Sequence, residues 1–188
     1  MKPESQTVKL KQRAQTMGWP EMQALWGDIS GDAVSEWNPG KAFEYLIVRG
    51  FELSGLRVEY PFEVRSNRQA IEQIDGMAYL DNTPFLIECK DKNGVDIEAI
   101  AKLHSQLLRR PPTTLGCVLS SSSFTKPALL LAGYMIPYRI LLWTSFDIGR
   151  AITSQNFREV FQHKYEWICK NGLIDDSLSY QALEVSDD

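Results

Sequence analysis

Between Gln73 and Asp91 the chain reads QIDGMAYLDNTPFLIECKD, two apolar runs separated by Asp81-Asn82-Thr83-Pro84. Those four residues are types that favour chain reversal. Ala78, Leu80, Phe85, Leu86 and Ile87 form a nearly continuous apolar strand pair, which suits the centre of a sheet better than its edge. Closing the turn with Leu80 beside Phe85 sets Met77 opposite Glu88 and Asp75 opposite Lys90. Side chains alternate along a strand, so Glu88 and Lys90 share one face while Cys89 points to the other. Directly opposed residues on one face lie about 4.5–5.5 Å apart. Two carboxylates and an ammonium therefore converge on one side of an apolar hairpin. Burying two like charges is costly unless a cation sits between them, so the hairpin reads as a metal site. The plainer alternative is a surface hairpin whose charges are solvated, and the apolar context counts against it.

The flanks place this hairpin in an α/β frame. Upstream, Asn38 is a plausible N-cap and Pro39 a good first residue for a helix over GKAFEYLIVRGFELSG. Phe43, Leu46, Ile47, Gly50, Phe51 and Ser54 recur at helical spacing, predicting an amphipathic helix that ends at Gly55. Leu56 to Val64 is expected as one strand. Downstream, Val95 to Arg109 is expected as a helix with Ile97, Ile100, Leu103, Leu107 and Leu108 inward, stopped by Arg110-Pro111-Pro112. A strand at Leu115–Leu119, a serine turn, a helix from near Thr125 and a strand at Arg139–Trp143 follow. The order is helix, three strands, helix, strand, helix, strand, which predicts an α/β fold with a mixed central sheet flanked by helices.

These motifs resemble the restriction endonuclease-like, Mrr-like branch of the PD-(D/E)xK nucleases. Ile74-Asp75-Gly76 and Glu88-Cys89-Lys90 correspond to the signature, with isoleucine where the superfamily name has proline. Gly40, Phe43 and Glu44 match the opening Gly-x-x-Phe-Glu helix. Ser120–Ser123, Phe124, Thr125 and Ala128 match a small-residue turn and a Phe-Thr-x-x-Ala helix start. The resemblance covers roughly residues 39–145 and contains no winged-helix or other DNA-reading domain. The expected division is a helical extension over 1–37, a nuclease core over 38–145, and a helical extension with an acidic tail over 146–188.

The resemblance implies a metal-dependent endonuclease that hydrolyses phosphodiester bonds, with DNA the expected substrate and Mg²⁺ or Mn²⁺ the cofactor. Asp75, Glu88 and the carbonyl of Cys89 would be the ligands, oxygen donors that suit such ions. Lys90 would orient or help deprotonate the attacking water and stabilise charge at the phosphate; alternatively it simply pairs with Asp75. Glu44 would approach the metal from its helix, or else serve as an i,i+3 partner for Lys41. Lys102 and Gln106 share one side of the second helix, either near the substrate or as a solvated face. His104 falls on that helix's apolar side and reads as a core histidine, while His163 carries no specific signal.

Net charge is −4, yet residues 38–143 carry twelve Lys and Arg against eleven Asp and Glu. Affinity for phosphate backbones should then be modest and strongly salt-dependent. Arg65, Arg68, Lys92, Lys102, Arg109, Arg110 and Lys126 are candidates for backbone contacts, with solvated surface charge as the plainer account of each. Cys89, Cys117 and Cys169 have no paired spacing, so neither a disulfide framework nor a zinc site is indicated, and the first two should be buried thiols. MKPESQTVKLKQ has no apolar signal region and no stretch approaches a membrane span, so a cytoplasmic protein is expected. Trp19, Trp26 and Trp37 should belong to short helices docked on the core. Two further classes stay open: a structure-specific repair or junction nuclease, and a catalytically retired nucleic-acid-binding module. Recognition would fall to a homodimer, to a separate subunit, or to neither.

Overall fold

The computed structural model of the chain describes residues 6–31, 39–135, 140–172 and 174. Helices α1 (Gln6–Thr16), α2 (Trp19–Ser30) and α3 (Pro39–Leu53) come first, then strands β1 (Arg57–Glu59), β2 (Phe62–Ser66), β3 (Gln69–Ile74), β4 (Gly76–Leu80) and β5 (Thr83–Lys90). Helix α4 (Ile97–Leu107), strand β6 (Leu115–Ser120), helix α5 (Lys126–Tyr134) and strand β7 (Ile140–Trp143) follow. Helices α6 (Ser145–Thr153) and α7 (Phe157–Asn171) come last. Asn38, Trp37, Arg139 and the acidic tail lie outside the described residues.

The main sheet has the order β1-β4-β5-β6-β7. Its β1-β4-β5 part is antiparallel and its β5-β6-β7 part parallel, giving the mixed α/β sheet that the sequence predicts. Parallel neighbours need a crossover, and α4 and α5 supply the two. Ala78, Leu80, Phe85, Ile87, Cys89, Cys117, Leu119, Leu141 and Trp143 face α3 and the terminal helices in one apolar cluster. Leu86, Val118, Ile140 and Leu142 face α4 and α5 in a second cluster. The first is dense in aromatics: the Phe161 ring lies 4.6 Å from Phe85, 5.1 Å from Phe51 and 5.7 Å from Trp143. Trp19 and Trp26 join it from α2, stacking on Phe157 and Phe43.

Four details depart from expectation. The single strand over Leu56–Val64 is broken at Tyr60-Pro61 into β1 and β2, because proline lacks a ladder donor and restricts the residue before it. Strand β3 was not foreseen as separate. Its sequence QAIEQI is mostly exposed and lacks a buried alternation, and it pairs with β2 in a two-stranded ribbon outside the main sheet. The β4–β5 turn is tighter than drawn: Leu80 pairs with Thr83 and Ala78 with Phe85, around Asp81 at φ 53°. The slip is by two residues, and an even slip preserves the side-chain faces. Finally, α4 starts at Ile97 behind the N-cap Asp96, whose carboxylate accepts from the Glu98 N–H at 3.1 Å. Ile97 and Leu108 are 48 % and 67 % exposed, so the inner face is Ala99, Ile100, Leu103, Gln106 and Leu107 instead.

Gly76 opens β4 under α3. A Cβ there would lie 2.6 Å from Cγ2 of Val48, a stiff β-branched side chain with no room to swing. Gly76→Ala should therefore destabilise the fold by about 1–3 kcal/mol, as overpacking does, measured as a lower urea midpoint at unchanged slope.

Candidate metal and nuclease site

Asp75 occupies the break between β3 and β4, where the chain leaves the ribbon and enters the main sheet. Continuing the Gly76–Ile87 pairing by one residue brings Asp75 opposite Glu88, not Lys90. Asp75 is 6 % exposed and its Oδ2 accepts from the Cys89 N–H at 2.9 Å. Glu88 is 1 % exposed. Its carboxylate is gripped by two ammonium groups, Lys90 Nζ at 2.7 Å from Oε1 and Lys102 Nζ at 2.7 Å from Oε2. The Lys102 ammonium also lies 2.8 Å from Oε1. Lys90 therefore pairs with Glu88 and not with Asp75, and Lys102 stands against Glu88 where sequence reasoning had it as a substrate or surface lysine. Periodicity gave no sign of this, because Lys102 is a long side chain reaching back from an exposed helix position.

Glu44 comes from α3. It pairs with Lys41 at 2.5 Å and also feels the Asp75 and Glu88 charges, so the local ion pair and the approach to the site coexist. Burial, reinforced by the Asp75 charge, raises its pKa from an ordinary 4.5 to about 7, with Lys41 opposing. The Asp75 carboxyl is raised too, first by burial and then by Glu88, while the Cys89 N–H pulls it down. Burial alone would lower the Lys90 ammonium, but the Glu88 carboxylate outweighs it and holds the group above its usual value. As it stands, Lys90 is a cation, suited to orienting water or phosphate and not to taking a proton. The buried Cys89 thiol is pushed far up by burial and its acidic neighbours, which leaves only its backbone for chemistry.

That backbone is aimed suitably. The Lys90 carbonyl accepts from the Ser121 N–H on the β6 side at 3.0 Å. Within a strand, the N–H and C=O of one residue point to one side and successive residues alternate. The Cys89 carbonyl thus points, like its N–H, past the end of β4 toward Asp75. Two carboxylates and one carbonyl are hard oxygen donors, and a hard divalent ion such as Mg²⁺ takes few protein ligands and keeps several waters. The donor set fits such an ion with water completing it. Among the described residues no three His, Cys, Asp or Glu side chains form a complete cage by themselves.

The remaining candidates scatter. Lys92 is exposed and pairs with Asp96 at 2.9 Å. Lys126 is exposed at the start of α5. Gln106 is 5 % exposed, not a solvated side chain, and its Nε2 donates to the Gln73 carbonyl at 3.4 Å. His104 is half-buried and outside the core. Arg109 and Arg110 both engage Glu72 of β3, a clamp that no local pattern announces because its partners lie far apart in the chain. The serine run forms a turn laced to the segment after Lys90: Ser122 Oγ donates to the Lys92 carbonyl at 2.7 Å and accepts from the Gly94 N–H at 3.1 Å.

This architecture is a nuclease fold. Residues 34–151 match the family model for the Mrr catalytic domain, described as restriction endonuclease, and the chain belongs to that family. It is also similar to two solved structures. One is the DNA modification-dependent restriction endonuclease AspBHI, at 18 % identity and TM-score 0.46, covering 79 % of this chain and 40 % of that one. The other is a protein of unknown function, AF1548, at 19 % identity and TM-score 0.43, covering 53 % of this chain and 56 % of that one. The chain thus spans about half the length of these structures. No curated protein matches it.

The raised carboxyls carry a pH signature. A group whose folded pKa exceeds its unfolded value stabilises the fold fully below the unfolded pKa and loses that contribution as pH rises through the folded one. In EDTA, stability should fall as pH rises from about 4.5 to about 7, the Glu44 window, with Asp75 acting in the same direction. Glu72, held low chiefly by its arginines against the cost of burial, acts below that window. Chemical denaturation across the range should show a shallower decline for Glu44→Gln. An equal decline in both proteins would remove Glu44 as the source.

Proposed function

We propose that this protein is a metal-dependent endonuclease that hydrolyses phosphodiester bonds in DNA, with Asp75, Glu88 and the Cys89 carbonyl holding Mg²⁺ or Mn²⁺. The observation that carries the proposal is the pair of buried carboxylates, Asp75 and Glu88, set opposite each other at a strand break, with burial and the Glu88 charge both making Asp75 costlier to ionise. A divalent ion between them would lower the pKa of bound water and polarise the phosphoryl oxygens. Lys90, on the same strand and face as Glu88, supplies positive charge beside the reacting phosphate and orients the attacking water. Lys102 offers a second ammonium there. Glu44, protonated or ionised near neutral pH, suits a proton-holding role at the edge of the site. The N–H of Cys89 and the serine turn keep Asp75 and Lys90 in place.

The test is cleavage of plasmid, linear, single-stranded and branched DNA with Mg²⁺ or Mn²⁺. Asp75→Ala, Glu88→Ala and Lys90→Ala should each abolish cleavage with the fold retained, and their losses should not add, because the three act as one unit. Millimolar Mn²⁺ should raise the melting temperature of the wild type through linkage, and Asp75→Asn should blunt that rise. The absence of metal-dependent cleavage on every substrate would overturn the proposal.

A second reading has one observation in its favour. Lys90 and Lys102 already neutralise Glu88, which is compatible with a retired nuclease that binds nucleic acid without cutting it. Calorimetry separates the two: the retired module binds no divalent ion, whereas the enzyme binds one and releases Glu88 from its lysines.

A further inference from the structure

We infer that the β2–β3 ribbon is the element that reads duplex DNA for this nuclease, entering the major groove beside the cut; this rests on the nuclease reading above. The ribbon stands outside the main sheet, and seven consecutive residues, Arg65–Ile71, are exposed. A two-stranded ribbon is marginal alone, and this one is anchored only at its base. Phe62, Val64 and Ile74 pack into the α4 cluster, and Glu72 is held by Arg109 and Arg110. Its outer half is thus presented on a fixed base, and among the described residues nothing covers it. Ile71, 61 % exposed, is an apolar residue with no structural use at that place.

The tip carries the side chains that read base edges. Asn67, Arg68 and Gln69 are consecutive; Asn and Gln pair bidentately with adenine, Arg with guanine, and apolar groups meet the thymine methyl. A two-stranded ribbon is one of the shapes the major groove admits. Asn67 and Arg68 have φ of 49° and 67°, the pattern of a type I′ turn. Arg65 is spent on Glu63 at 2.7 Å and on the Arg68 carbonyl at 3.2 Å, bracing the turn. The Arg68 guanidinium has no ion pair among the described residues and projects a full positive charge at the tip. With Glu63 and Glu72 both paired to arginines, the unpaired Arg68 charge favours an anionic partner at the tip, and the base-reading side chains point to duplex DNA.

The base of the ribbon is the site itself, since β3 runs into Asp75. Its six residues, Gln69–Ile74, span about 20 Å at ~3.3 Å each. That places the tip within roughly six base pairs of the reacting phosphate at ~3.4 Å per step. The chain can thus carry its own sequence preference without a separate reading domain.

The test uses Arg68→Gly in the full chain. Asn-Gly is the favoured type I′ pair, so the ribbon should fold at least as well, checked by an unchanged or higher melting temperature. Cut ends from a randomised linear duplex are sequenced, and duplex affinity is measured by anisotropy at fixed salt. The wild type should prefer particular bases within roughly six pairs of the cut. Arg68→Gly should flatten that preference and weaken binding by roughly 5- to 100-fold, the effect of one bidentate contact. Asn67→Gly with Gln69→Ala provides a second variant and should flatten it likewise. An unchanged preference and affinity in both variants, or a wild type that cuts with no preference, would overturn the inference while leaving the nuclease standing. A wild type that neither binds nor cuts duplex would overturn both.

Discussion

Much of this structure depends on one short hydrogen bond, from the Cys89 N–H to the buried Asp75 carboxylate. It joins the last residues of β5 to the break between β3 and β4, at the point where the β4–β5 pairing ends. On one side of that break β4 continues under α3, with Gly76 against Val48. On the other side β3 leaves the sheet to pair with β2. A buried carboxylate that accepts a backbone N–H is far less costly than an unpartnered one. The bond also spends a lone pair of Asp75 in a fixed direction, leaving the other oxygen for chemistry. The strand break, the ribbon and the acidic site are therefore consequences of a single local arrangement.

Charge compensation explains the next layer. Asp75, Glu88 and Glu44 converge from a strand break, a strand and a helix, and three such groups cannot all ionise cheaply in a buried place. The protein answers with Lys41, Lys90 and Lys102, each a partly exposed side chain whose ammonium reaches one of the carboxylates. Side-chain exposure of 30 %, 31 % and 41 % for those lysines leaves each a route to solvent once another cation takes its place at the carboxylate. Partners that hold the carboxylates yet can be replaced suit the metal-binding role proposed for the site. A fully buried pair such as Asp147–Lys164, at 3 % and 6 % exposure, could not do this, and it serves instead to pin α7 to α6.

The sequence carried the sheet because its strands are apolar and its turns punctuated. Ala78–Leu80 and Phe85–Ile87 could hardly be anything but paired strands, and the Asp–Glu–Lys set followed from closing the hairpin together with period-two alternation. The turn register was misjudged because Thr83-Pro84 reads as turn chemistry, although Pro84 sits in β5 opposite Tyr79. Face assignment survived because the error was even. What stayed hidden has a common cause. Strand β3 and its ribbon bury little, so they leave no hydrophobic period to read. The Lys102–Glu88 and Arg109–Glu72 contacts join residues 14 and 37 positions apart through long flexible side chains, which no local pattern encodes. Gln106 looked like surface on a helix wheel but is buried because the ribbon's base passes over it.

The two faces of the sheet divide the labour that remains. On the α3 side, Phe51, Phe85, Trp143, Phe157 and Phe161 interlock, drawing the terminal helices into the same core as the sheet. Such close-packed interiors deform little, so α3 can hold Glu44 at a fixed distance from a strand that holds Glu88. The α4 side is held more by ion pairs: Lys102 to Glu88, Arg109 and Arg110 to Glu72. Those contacts weaken with salt and can be traded for contacts to a phosphate backbone. The rigid face thus holds the helix that carries Glu44, while on the ionic face Arg109 and Arg110 can exchange Glu72 for another anion without touching Asp75 or Glu88. A chain with net charge −4 attracts a polyanion poorly at long range, so any such contact would depend on local cations such as Lys102 and Arg109.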